Sequence, residues 1–193
     1  MSMFQLLMLL ASGFFAYQMY KHIQQIDENE EPAFMKEPEV IEKEPSEEDL
    51  INNADKAYMD DRIDIAQERF EAIVEQFPSS AEARNKLAFI LASQGKNEEA
   101  EAYYKASLEI DSNDDMTHNA LAKLYAQMGK NIQAQEHYKL ALKIDDNYEI
   151  TWFNYAQLME DLGEKQEAIQ MYEKALHIDP DLVEAKEALE NLA

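Results

Sequence analysis

A register of small side chains that returns every 34 residues limits how this chain can fold more than any other feature. Ala54, Ala88, Ala122 and Ala156 lie one period apart, and so do Ala66, Ala100, Ala134 and Ala168. Alanine lets two helices approach closely, where a larger side chain would push the backbones apart and forfeit dispersion contacts. Aromatic residues keep the same step one turn after the second alanine, at Phe70, Tyr104, Tyr138 and Tyr172. Each is placed to fill the groove beside the close approach, where burial is worth about 1.5–3 kcal/mol. Gly95, Gly129 and Gly163 recur midway through their units.

The last full unit, Glu149 to Leu182, shows the local pattern. Trp152, Tyr155, Ala156 and Met159 share one helical face, and Ala168, Tyr172, Ala175 and Leu176 share another, with the turn at Gly163 between them. Asp179-Pro180 closes the unit, because proline cannot extend a helix in progress and disfavours helical geometry in the residue before it. One such pair cannot bury both of its apolar faces, so it requires neighbours.

These residues and this period resemble the tetratricopeptide repeat family. The resemblance implies an all-α fold: an α-solenoid of four antiparallel helix pairs, over 47–80, 81–114, 115–148 and 149–182, wound into a superhelix. Residues 183–193 read as a capping helix with Ala185, Leu189 and Leu192 toward the stack. The first unit departs most, with Asn53 where later units have Leu87, Leu121 and Tyr155, and Asp61 where they have the turn glycine. Ser112 and Asp146 stand where Pro78 and Pro180 close the outer units, which predicts softer helix stops there.

The N-terminal region differs in kind. Met1 to Tyr20 carries no charged side chain, and about 18–20 largely apolar residues match the hydrocarbon thickness of a bilayer. Phe14, Phe15, Tyr17 and Tyr20, followed by Lys21, fit an interfacial aromatic belt. A transmembrane helix or signal anchor is therefore expected over 1–23, inserted so that the repeats face the cytoplasm. Residues 24–46 are acidic and interrupted by Pro32, Pro38 and Pro45, the composition of a disordered tether. A second reading removes the N-terminal segment as a leader and leaves a secreted or soluble chaperone-like solenoid. A third has the solenoid pair with a copy of itself.

Net charge narrows the function. At −23, with no run of Lys and Arg, the chain repels phosphate, so nucleic acid is not an expected partner. Zero cysteine removes disulfides and thiolate metal sites. The histidines, His22, His118, His137 and His177, form no pair at helical spacing, and the isolated glycines form no phosphate loop, so neither metal, cofactor nor catalysis is expected.

Binding is left. In the family, the first helix of each unit lines a concave groove that takes peptides. Carried over to this chain, that face holds Ile51, Asp55, Tyr58 and Met59, then Asn85, Phe89 and Ser93, then Asn119, Lys123 and Gln127, then Phe153, Gln157 and Asp161. The resemblance implies partner contacts at Tyr58, Asn85, Phe89, Asn119, Lys123, Phe153 and Gln157. The asparagines would hydrogen-bond a ligand backbone, with Phe89 and Phe153 as exposed apolar anchors. Co-chaperone members of the family grip acidic C-termini with a cationic clamp. Here Lys123 is the one close cation expected, and Asp55 and Asp161 would repel a carboxylate, so a basic or amphipathic segment is the expected ligand.

Overall fold

Helix boundaries repeat with the same step as the alanines. The structure, a computed structural model, describes residues 14–22 and 44–192. The first helices of the units are α1 (Glu47–Met59), α3 (Ala81–Ser93), α5 (Asp115–Gln127) and α7 (Glu149–Asp161). The second helices are α2 (Ile63–Gln76), α4 (Asn97–Ile110), α6 (Asn131–Ile144) and α8 (Lys165–Ile178), and α9 (Val183–Leu192) follows.

Each first helix pairs antiparallel with the second helix of its unit, each second helix packs on the next unit, and α9 covers α8. First helices of successive units also touch, α3 with α5 and α5 with α7, which makes them the lining of the inner face. The eight register alanines are all fully buried, at 0% exposure, and Phe70, Tyr104, Tyr138 and Tyr172 lie beside them at 1–2%. Ala185 is buried, and Leu189 and Leu192 are half-buried against the core, as the cap requires.

Local chemistry sets where the helices begin. Ser46 and Asp49 form a reciprocal capping box at α1, while the Ser80 hydroxyl and the Asp114 carboxylate accept the third backbone N–H of α3 and α5. Inside the units, Gly95, Gly129 and Gly163 take φ of 77°, 71° and 80°, and Asp61 takes the same left-handed turn at 59°. Asparate is one of the few side chains that tolerate that region, which is why the first unit turns without glycine.

The softer stops expected at Ser112 and Asp146 are not found. α2, α4, α6 and α8 all end in the same register, with or without a following proline. In the later three, an aspartate just past the helix accepts the backbone N–H two residues on: Asp111 from Asn113 at 3.0 Å, Asp145 from Asn147 at 2.8 Å and Asp179 from Asp181 at 2.9 Å. This local turn competes with further helix and ends it.

Polar contacts bind neighbouring units. Glu101 on α4 receives Lys130 at 2.7 Å, Lys105 at 2.6 Å and the Tyr125 hydroxyl at 3.2 Å. Lys105 and then Lys130 hold its carboxyl at about 2, well below the usual range.

The N-terminal unit, 1–44, is separate from 45–193. Its residues 14–22 are helical with exposed side chains. Among the described residues, no helix is long and apolar enough to cross a membrane. The remainder of the expected 1–23 span, and the expected tether as far as residue 43, fall outside the described residues.

Candidate functional site: the inner groove

Three adjacent depressions lie along the first helices, and the residues expected to bind a partner are distributed among them. The first, about 200 Å³, is lined by Asp55, Tyr58, Asn85, Lys86 and Phe89. The second, about 360 Å³, begins on the far side of Phe89 and takes in Asn119, Lys123, Ile150 and Asn154. The third, about 500 Å³, runs from Phe153 and Gln157 on α7 to α9.

Phe89 divides the first two. Its ring is 49% exposed and meets Tyr58 edge-on, with centroids 5.8 Å apart and planes at 68°. An aromatic held open by one edge contact presents its remaining face to the groove. Phe153 is different: it is half-buried, and its ring sits 5.6 Å from that of Tyr172. The expectation of a freely exposed anchor there is corrected to one that also covers the core aromatic beneath it. Ile51 is likewise core, at 5% exposure, and not groove wall.

The asparagines are not idle. Asn85 donates its amide to the Thr117 hydroxyl, and that hydroxyl donates to Asp114. Asn119, 9% exposed, accepts from the Asn154 amide at 3.2 Å. These bonds run from one unit to the next, so the polar groups meant for a ligand backbone are first oriented by each other. Lys123 and Gln157 are exposed in the groove.

Charge within the groove differs from the sequence expectation at its first depression. Lys86 clamps both oxygens of Asp55, at 2.8 and 3.0 Å, so the charge of Asp55 is balanced within that depression and does not repel a carboxylate as expected. At the far end the balance reverses: Glu160, Asp161, Glu184 and Glu187 line the third depression. The Tyr172 hydroxyl donates to Glu160 at 2.8 Å; burial, and then that acceptor, push the phenol above its ordinary value.

Lys86, Ile150 and Asn154 were missed because only every fourth position of the first helix was carried over in the last three units. A face with a 3.6-residue repeat also includes the position one further on, where Lys86 and Asn154 stand. The histidine pair was missed too. His118 on α5 and His137 on α6 approach Nδ1 to Nδ1 at 2.9 Å, a pairing across two helices that spacing along one helix does not reveal. Among the described residues, no cluster of three or more His, Cys, Asp or Glu could hold a metal ion.

Two family models, each described as tetratricopeptide repeat, match residues 52–115 and 114–181. The chain belongs to the tetratricopeptide repeat family. A search of the curated proteins finds no match. Among solved structures, the chain is similar to one titled the crystal structure of MamA protein, with TM-score 0.62, 19% identity, and coverage of 72% of this chain and 76% of that one. It is also similar to a tetratricopeptide repeat protein from Parabacteroides merdae ATCC 43184, with TM-score 0.63 and 21% identity over 76% of this chain and 58% of that chain. A third similar structure is the first TPR of Spaghetti (RPAP3) bound to the HSP90 peptide SRMEEVD, with TM-score 0.56 and 22% identity over 58% of this chain and 89% of that one. At these identities the likeness is one of fold.

Proposed function

We propose that this tetratricopeptide repeat protein is an adaptor whose inner groove binds a peptide or short helix of a protein partner. The observation that carries this reading is Phe89, a large aromatic left half exposed at the join of two depressions whose walls include oriented amides and Lys123. Aromatics that become buried when a partner binds carry most of the energy in protein interfaces, while surrounding amides set register. The peptide held by the first TPR of Spaghetti (RPAP3) supports the same use of the fold. The test is capture of partners by the full chain, compared with Phe89→Ala and Lys123→Ala in combination. Loss of the captured protein at unchanged thermal stability is expected; undiminished capture would refute the groove.

Attachment to a bilayer through residues 1–20, with the repeats on the cytoplasmic side, belongs to the same proposal and rests on the uncharged, aromatic-flanked composition of that segment. Protease protection on sealed spheroplasts checks it. Repeats digested from outside would end the cytoplasmic orientation, and a mature chain lacking its first twenty residues would replace this reading with the secreted one.

A further inference from the structure

Charge along the groove is uneven. In the first depression Lys86 and Asp55 cancel. In the second, Lys123 is the one charged group on the wall, beside Phe89, Ile150 and Leu124. The third depression has no cation on its wall and places Glu160, Asp161, Glu184 and Glu187 around Phe153. None of those four carboxylates takes part in an ion pair among the described residues, whereas Lys86, Lys105 and Lys130 are all used elsewhere.

The walls of this recess come from three elements. Phe153, Glu160 and Asp161 lie on α7, Tyr172 lies on α8, and Glu184, Glu187 and Ala188 lie on α9. The cap helix thus closes the end of the groove with acid groups of its own. An aromatic floor under a rim of carboxylates suits one kind of side chain: an aliphatic stem that can lie on the ring and end in a delocalised or point cation. Arginine and lysine have that form; a carboxylate tail, a phosphate backbone or an anionic lipid surface meets four like charges here. The middle depression asks for the opposite, apolar side chains with a polar or acidic group near Lys123.

We infer that the groove selects a polarised amphipathic segment, with apolar side chains over Phe89 and Ile150 and a lysine or arginine seated in the recess between α7 and α9. This rests on the groove reading and adds the chemistry and register of the ligand. The charge complementarity of the two depressions fixes which end of the segment lies toward the cap.

Two fluorescent synthetic peptides serve as probes, identical in an amphipathic apolar sequence and differing only at one end, Lys-Arg in one and Gln-Gln in the other. Binding is measured to the full chain. The Lys-Arg peptide is expected to bind at least about ten-fold tighter, with the advantage shrinking as salt rises. The combined E160Q, D161N, E184Q and E187Q variant should abolish that advantage and leave the affinity of the Gln-Gln peptide and the helix content unchanged. A control removing four exposed carboxylates from α2 and α4 (E68Q, E75Q, E98Q, E109Q) should keep the advantage. Equal loss in the control would reduce the effect to net charge and overturn the recess. Both peptides binding equally, yet losing affinity in Phe89→Ala, would overturn the recess and leave the groove standing. Failure of both peptides to bind would overturn the two readings together.

Discussion

His118 and His137 face each other across the third helix pair, and the bond between their Nδ1 atoms has room for one hydrogen. His118 Nε2 lies 3.3 Å from the Ser112 carbonyl, an acceptor, so that nitrogen carries the hydrogen and the His118 Nδ1 is left to accept from His137. Around the pair lie the Tyr125 ring, 5.5 Å from His137, and the positive charge of Lys105. A second added proton would set two N–H groups against each other.

From this follows a pH dependence. Burial, then the charges of His118 and Lys105, depress His137 to about 4 in the folded chain. The unfolded chain, with an imidazole near 6.5, takes up the proton first, so stability present above about pH 6.5 drains away as pH falls toward 4. Because His137 is only half-buried, solvent screening reduces the full linkage value, and the loss is on the order of 2 kcal/mol. His137→Gln should flatten this part of the curve in urea titrations at pH 7 and pH 4.5, relative to the parent. Parallel curves would contradict the assignment.

Two threonines one period apart should respond in opposite ways. Thr117 and Thr151 are both fully buried, yet only Thr117 is bonded, to Asn85 and Asp114. The Thr151 hydroxyl has no partner among the described residues, because Tyr148 stands in the place of Asp114 and Asn119 is turned to Asn154. Thr117→Val should cost about 1–3 kcal/mol, since it leaves Asn85 unsatisfied, whereas Thr151→Val should be neutral or stabilise by up to about 1 kcal/mol. Chemical denaturation of the two single variants decides it.

The groove aromatics separate binding from stability. Phe89→Ala removes a ring that is half in water and should lower stability by less than about 1 kcal/mol while weakening partner capture. Phe153→Ala uncovers Tyr172 and should cost about 1–3 kcal/mol as well. Thermal melts beside capture assays would show this split.

The nesting of helices is tested at Ala100, which has no exposed surface. Ala100→Leu should destabilise by about 1–3 kcal/mol through overpacking, read as a lower urea midpoint with an unchanged slope.

What the sequence disclosed was the part written along the chain. The alanine register gave the helix crossings, and the aromatic register gave the fillers beside them. The parts it concealed are pairings between units. Asn85 reaches Thr117 over 32 residues, Lys86 reaches Asp55 over 31, and Asn154 reaches Asn119 over 35. These separations are the period shifted by a few residues, since a helix stacked on its equivalent meets it slightly out of step. A search for complementary polar residues about one period apart would have found them. Helix stops were misjudged for another reason: proline is conspicuous, whereas Asp111 and Asp145 act through a bond that only a turned backbone reveals.

Helices begin at Glu47, Ala81, Asp115, Glu149 and Val183, and the turn between the members of each pair falls in the same place every time. Length in this molecule is therefore quantised. Splicing in a whole copy of one unit would lengthen the trough without disturbing any joint, whereas one or two residues inserted inside a helix would turn the small side chains beyond them by about 100° per residue away from their partners.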